Sequence, residues 1–168
     1  MIHLTFTAQS LEFDIATSEY QQIWDTEGEA IIQAFKTVTG LEFKQRAIEV
    51  IVYEGMSFSG SLNTPMKLRA SYSYEVKQGT LIHELGHRLI APLHNRIPEL
   101  DEHQTLNLFL YDVWVTLYDP EFARNMIAVE SKRKGFYDYE GAWKWFLALN
   151  LEEKRGLWQR MVEMNTEV

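Results

Sequence analysis

The opening residues, MIHLTF, alternate apolar and polar positions, which predicts a half-buried strand at the start of the chain. The period then lengthens. Ile23, Ala30, Ile31, Ala34, Phe35 and Val38 recur at spacings of three, four or seven, predicting a helix over residues 23–38, and Gly40 stands where a C-cap belongs. Residues 45–54, QRAIEVIVYE, are rich in β-branched side chains and alternate around Ile48, Val50 and Val52, so a second strand is expected, followed by the Gly/Ser-rich loop GMSFSGSLNTP. MKLRASYSY alternates again, with Met66, Leu68 and Ala70 on one side and Lys67, Arg69 and Ser71 on the other. A helix is predicted directly after it, over residues 76–90, where Leu81, Leu85 and Leu89 form one row and Pro92 closes the segment.

Beyond Pro98 the helical period dominates. A long helix is expected from Asp101 to Tyr118, with a break at Asp119-Pro120. Two or three further helices are expected within 121–133 and 139–164, where Trp143, Trp145, Phe146, Leu149, Leu157 and Trp158 supply packing surface. The pattern has no repeats. At 168 residues the chain is expected to form a single domain over 1–168, and 46% hydrophobic residues are ample for its core.

The formal net charge of −8 argues against nucleic-acid or anionic-membrane partners, which are bound through basic surface. The basic run Lys132-Arg133-Lys134 is short and reads as a solvated turn. With no cysteine, any metal must be held by nitrogen and oxygen. Neither a signal-peptide pattern nor a membrane-spanning apolar window is present, so a cytoplasmic protein is expected.

The chemistry concentrates in GTLIHELGHRLIAPLHNRI, residues 79–97. A helix stacks positions i and i+4, so His83 and His87 project from one face toward a common point. Two zinc ligands follow from the helix itself. Glu84 is rotated by about 100° from His83, placed to act as general base on a water without competing as a ligand. The leucine row lies on another face, and Gly86 accepts a helix penalty of about 1 kcal/mol between Glu84 and His87, which suits close approach to the backbone.

A catalytic zinc takes three protein ligands and keeps one position open. Downstream candidates for the third are His94, Glu99, Asp101, Glu102, His103 and Asp112. On the 101–118 helix the apolar arc contains Leu106, Phe109, Leu110, Val113, Trp114 and Leu117; His103 and Glu102 fall at or within it, whereas Asp101 and Asp112 lie opposite. His103 is the favoured third ligand. Glu102 is the alternative, as ligand or as a partner orienting a histidine.

These residues carry a family resemblance. HELGH, after the strand-like MKLRASY and before further helices, resembles the zincin metallopeptidases. The extended metzincin pattern does not fit, since Ile90 occupies its glycine position and His94 comes one residue too late. The interval from His87 to His103 is similar to that of SprT-like minimal zincins, and Glu102 as ligand would make a gluzincin-like variant. The match covers residues 66–118 in motif and element order. It implies an α+β fold: a small twisted, mostly antiparallel sheet packed on the active-site helix, then a helical C-terminal half. It also implies a zinc metallopeptidase acting on peptide or protein substrates, with Leu68, Arg69, Ala70, Ser71 and Tyr72 as the edge that pairs with the substrate backbone. For the group that stabilises the oxyanion, Tyr72, Tyr74, Tyr111 and His94 stand as candidates. The same motif also fits a zincin-fold binding or regulatory protein with a structural metal, in which a fourth protein side chain would close the coordination shell.

Overall fold

In a computed structural model, which describes residues 2–135 and 137–166, the protein has an α+β fold dividing into two compact units, Met1–Pro92 and Leu93–Val168. The first unit contains the whole sheet. Strand β1 (His3–Ala8) buries Leu4 between exposed His3 and Thr5, and β2 (Ala47–Tyr53) turns Ile48, Val50 and Val52 inward, so the two-residue period is used as expected. Strand β3 (Met66–Arg69) buries Met66 and Leu68.

The sheet order is β1-β2-β3 and both pairings are parallel, with Leu4 opposite Ile48 and Val52 opposite Leu68. The expected mostly antiparallel sheet is corrected. The cause is connectivity: parallel neighbours need a crossover long enough to return the chain to the same end. Helix α1 (Asp14–Thr39) provides the first, and residues 54–65 provide the second without a helix. Part of that second crossover doubles back, and Phe58 makes one antiparallel bridge to Lys67, with N–H···O distances of 3.0 and 2.9 Å in the two directions.

Helix α1 begins nine residues before Ile23, after a 3-10 turn at Leu11–Phe13. Its first turns are mostly polar and bury only Tyr20, so they carry no apolar stripe to read. The Thr17 and Ser18 hydroxyls donate to carbonyls four residues back, at 2.9 Å each. At the other end Gly40 adopts φ 73° and donates to the Lys36 carbonyl, a left-handed cap that glycine accepts without a Cβ penalty.

Helix α2 (Tyr74–Ile90) follows the sheet, with Ser73 as N-cap, and packs on α1 and β3. Two polar ties fix its first half to α1: Lys77 pairs with Glu19, and Gln78 Nε2 donates to Glu27 Oε1 at 2.7 Å. Its last turn is held by Arg88, whose Nη2 donates to the Thr64 carbonyl at 2.6 Å and whose Nη1 donates to Gln45 Oε1 at 3.3 Å. The motif helix is thereby pinned at both ends.

The second unit is helical throughout its regular elements. Helix α3 (Glu102–Leu117) is its centre and packs against α4 (Pro120–Glu130), α5 (Tyr139–Ala148) and α6 (Leu151–Thr166). Asp101 and Gln104 cap α3 reciprocally, each side chain accepting from the other's backbone N–H at 2.7 and 2.9 Å. Asp119 caps α4 by accepting from Phe122 N at 2.8 Å, with Pro120 in the first turn, where its missing N–H costs nothing. The expected 139–164 segment is two helices because Asn150 and Glu153 make a new reciprocal cap that starts α6. Trp114 stacks on Trp143 with centroids 5.7 Å apart, and Phe109 packs on Trp158 at 4.9 Å.

Candidate metal centre

Helix α2 is unusual in its burial. Every residue from Gly79 to Ile90 is buried, although the stretch includes Thr80, His83, Glu84, His87 and Arg88. A helix buried on all sides is ordinarily apolar, since removing polar groups from water is costly unless they are satisfied. These polar residues therefore require an account, one by one.

His83 and His87 face each other from successive turns. Their Nε2 atoms are 3.2 Å apart, with ring centroids 4.9 Å apart and planes inclined by 60°. Tetrahedral zinc with Zn–N bonds of about 2.0–2.1 Å separates two ligand nitrogens by roughly 3.3–3.4 Å. The pair thus stands near the spacing that one ion would set, with the correct type of nitrogen on each ring.

Glu84 follows His83 on the adjoining face and is 3% exposed. Among the described residues its carboxylate takes no hydrogen bond and no ion pair. Its charge is felt by Arg88, one turn on, and by the Tyr53 hydroxyl. Burial pushes that hydroxyl above the usual phenol range, with Arg69 opposing the rise and the Glu54 and Glu84 charges adding to it. For Arg88, burial lowers the guanidinium below its ordinary value and Glu84 opposes that shift.

In the second unit His103 is buried in the first turn of α3, packed against two tyrosine rings: Tyr139, with centroids 4.5 Å apart, and Tyr137, at 4.8 Å. His83 and His87 each offer a ligand nitrogen from the first unit, and His103 offers one from the second. An all-imidazole set of buried donors suits a borderline cation such as zinc, and it excludes the oxygen-rich shell that calcium or magnesium requires.

The other sequence candidates stand apart. Glu102 is exposed at the start of α3, and its charge opposes the lowering that burial imposes on the Arg96 guanidinium. His94, Glu99, Asp101 and Asp112 are exposed as well. Among the oxyanion candidates, Tyr74 is exposed, Tyr72 is half-buried near Arg69, and Tyr111 packs on Phe146 at 5.8 Å.

The expected substrate edge is occupied by the chain itself. Strand β3 ends at Arg69, so Ala70, Ser71 and Tyr72 lie beyond it. Lys67 N donates to Phe58 O at 2.9 Å, Arg69 N to Ser57 Oγ at 2.9 Å, Ala70 N to Tyr53 O at 2.8 Å and Ser71 N to Glu54 Oε2 at 3.2 Å. The Arg69 carbonyl accepts from the Tyr20 hydroxyl at 3.0 Å. A peptide pairing along Leu68 to Tyr72 must first displace Phe58 and Ser57 from the outer side.

Sequence reasoning did not single out Tyr137, Tyr139 or Arg88. For the tyrosines the available signal was the YDY triplet, in which Asp138 caps α5 by accepting from Gly141 N at 2.8 Å. For Arg88 the signal was a cation directly after His87 in the motif helix. No known family model, curated protein or solved structure matches the chain. The functional reading therefore rests on the site's own chemistry.

Proposed function

We propose that the protein is a zinc-dependent peptidase in which His83, His87 and His103 hold the metal and Glu84 is the general base. The observation that carries this reading is the pair of buried imidazoles on α2, His83 and His87, whose Nε2 atoms are 3.2 Å apart, on the helix that also buries Glu84. Bound there, zinc would act as a Lewis acid, polarising a substrate carbonyl and lowering the pKa of a water toward about 7.

The chain's own residues supply the remaining functions. His83 and His87 are fixed relative to each other by one turn of helix, so the ligand pair needs little reorganisation on binding. Glu84 accepts a proton from the attacking water and returns it to the departing amine, and its lack of an internal partner leaves its oxygens for that task. The burial of α2 around these residues excludes bulk water and strengthens the interactions within. The substrate backbone lies along Leu68 to Tyr72, with Phe58 moved aside. That exchange of one strand pairing for another selects extended peptides rather than folded surfaces.

The test uses the intact chain after dialysis, measuring zinc per chain and cleavage of a random-sequence peptide library by mass spectrometry. The expected result is about one zinc per chain in the wild type and in Glu84→Gln, loss of zinc in His83→Ala and His103→Ala, and no effect of Glu102→Ala. Cleavage is expected from the wild type and Glu102→Ala only. Undiminished cleavage by Glu84→Gln removes the general base. A wild type that retains zinc and cleaves nothing in the library replaces the peptidase with a binding or regulatory protein that keeps a structural metal.

A further inference from the structure

The second unit contains a chain of buried contacts that leads away from His103 and has no need of the peptidase reading to hold the fold together. Tyr139 presents its ring to the imidazole with an interplanar angle of 67°, and it is itself only 7% exposed. The Arg133 guanidinium carbon lies 5.8 Å from the Tyr139 ring centroid. Arg133 Nη1 is in turn 3.4 Å from Glu130 Oε1, on a side chain with no exposed surface. The other oxygen, Glu130 Oε2, accepts from Trp143 Nε1 at 3.0 Å.

Burying a carboxylate fully is costly, and replacing a buried ion pair by apolar side chains of similar volume is often neutral or stabilising. Stability alone gives little reason for Glu130 to be there. What Glu130 achieves is placement: it draws Arg133 inward from the basic run, in which Lys132 and Lys134 are exposed. A cation over an aromatic face then holds that ring in one position. The expected solvated turn at residues 132–134 is thus solvated at its two lysines, while the arginine between them points into the unit.

We infer that Tyr139 is a positioning residue for the third histidine: its ring fixes the plane of the His103 imidazole, and Glu130, acting through Arg133, fixes the ring. The inference rests on the reading of His103 as a metal ligand and extends it outward. It assigns an aromatic and ionic relay the part that a hydrogen-bonding carboxylate or carbonyl commonly plays behind a zinc-bound histidine.

The test compares Tyr139→Leu, Tyr139→Phe, Arg133→Met and His103→Ala in the full chain. Zinc affinity is read by competition with a chromophoric chelator, the ligand field from the visible spectrum of the cobalt(II) form, and stability from the thermal midpoint. Tyr139→Leu is expected to weaken zinc binding 10- to 100-fold and to change the cobalt spectrum, the scale of loss usual when support behind a ligand is removed. Tyr139→Phe keeps the ring and should stay within about twofold of wild type, whereas Arg133→Met should weaken binding about three- to tenfold.

Wild-type zinc affinity and an unchanged cobalt spectrum in Tyr139→Leu, with only the thermal midpoint lowered, would make Tyr139 an ordinary core residue and overturn the inference. If Tyr139→Leu does not fold, Arg133→Met decides in the same way, since its side chain is partly exposed. The His103→Ala variant separates the two levels. Unaltered zinc binding there removes the ligand assignment itself, while lost binding there beside unaffected Tyr139 and Arg133 variants removes the relay alone.

Discussion

Replacing Glu84 by glutamine should abolish hydrolysis and raise the stability of the metal-free protein. The two effects have one origin. The Glu84 carboxylate is 3% exposed, and among the described residues it has no hydrogen-bond or ion-pair partner. A buried charged group left in that state costs about 1–3 kcal/mol or more relative to a neutral one. Arg88 stands one turn further on and offsets part of this, and pairs at that spacing contribute about 0.3–0.5 kcal/mol. The net gain for Glu84→Gln is then about 1–2 kcal/mol, which for a chain of this size shifts the thermal midpoint upward by about 2–8 °C. Activity should fall by about 10²–10⁴, the usual contribution of a positioned base.

The assay is a pair of thermal melts in excess chelator, wild type against Glu84→Gln, together with peptide hydrolysis of the zinc-loaded forms. Zinc loading should shrink the difference in midpoint, because a nearby cation compensates the wild-type charge and not the amide. A Gln variant that melts below the wild type in chelator would mean that the carboxylate already has a structural partner, and the argument from its isolation would fail. Retention of more than about a tenth of the hydrolytic rate would exclude it as the base.

Removing zinc should lower the thermal midpoint, because a ligand bound only by the folded form stabilises it by about 2.7 kcal/mol at 100 times its dissociation constant; equal midpoints with and without chelator would rule out a bound metal. Zinc affinity should also weaken as the solution is acidified, since protons compete for imidazole ligands, and a titration that shows no such loss excludes a histidine site. Gly60→Ala should destabilise by about 1–2 kcal/mol. Gly60 has φ 68°, and a Cβ there would meet the Pro65 carbonyl oxygen at 2.7 Å, so an unchanged midpoint would contradict the loop geometry. Arg88→Met, which leaves the Thr64 carbonyl without its buried donor, should cost about 1–3 kcal/mol, read as a lowered midpoint in urea or heat.

The sequence made the elements legible and left their directions open. Alternation places Ile48, Val50 and Val52 on one face equally well in a parallel or an antiparallel sheet. Direction is set by what connects the strands, and nothing local in residues 54–65 announces that this loop returns the chain to the start of β3 rather than forming a hairpin. The same loop decides the fate of the substrate edge: Phe58 pairs with Lys67 because the segment folds back, a long-range choice that leaves no periodic trace. The start of α1 was hidden for the opposite reason, since its early turns face water and an amphipathic signal needs a buried stripe. The helical wheel put both Glu102 and His103 near the apolar arc of α3, but only side-chain placement separates the exposed Glu102 from the buried His103. Tyr139 was out of reach because its contact with His103 joins two different helices.

The buried polar residues of the motif helix differ in whether the chain itself gives them a partner. Lys77 and Arg88 are buried cations, yet each is committed to the chain: Lys77 to Glu19, and Arg88 to the Thr64 carbonyl and Gln45. Their chemistry is spent on fixing α2. His83 and His87 are turned toward each other at 3.2 Å, a spacing that a hydrogen bond between the rings accounts for and that is close to the one two ligands of a single ion would take. Glu84 alone among these charged residues is given no hydrogen-bond or ion-pair partner by the described chain, and its carboxylate oxygens keep a narrow contact with solvent. Folding tolerates that cost where the missing partner arrives from outside, as a water and a substrate would. Under the proposed reading, Glu84 is the residue that the HELGH spacing nominates as the base.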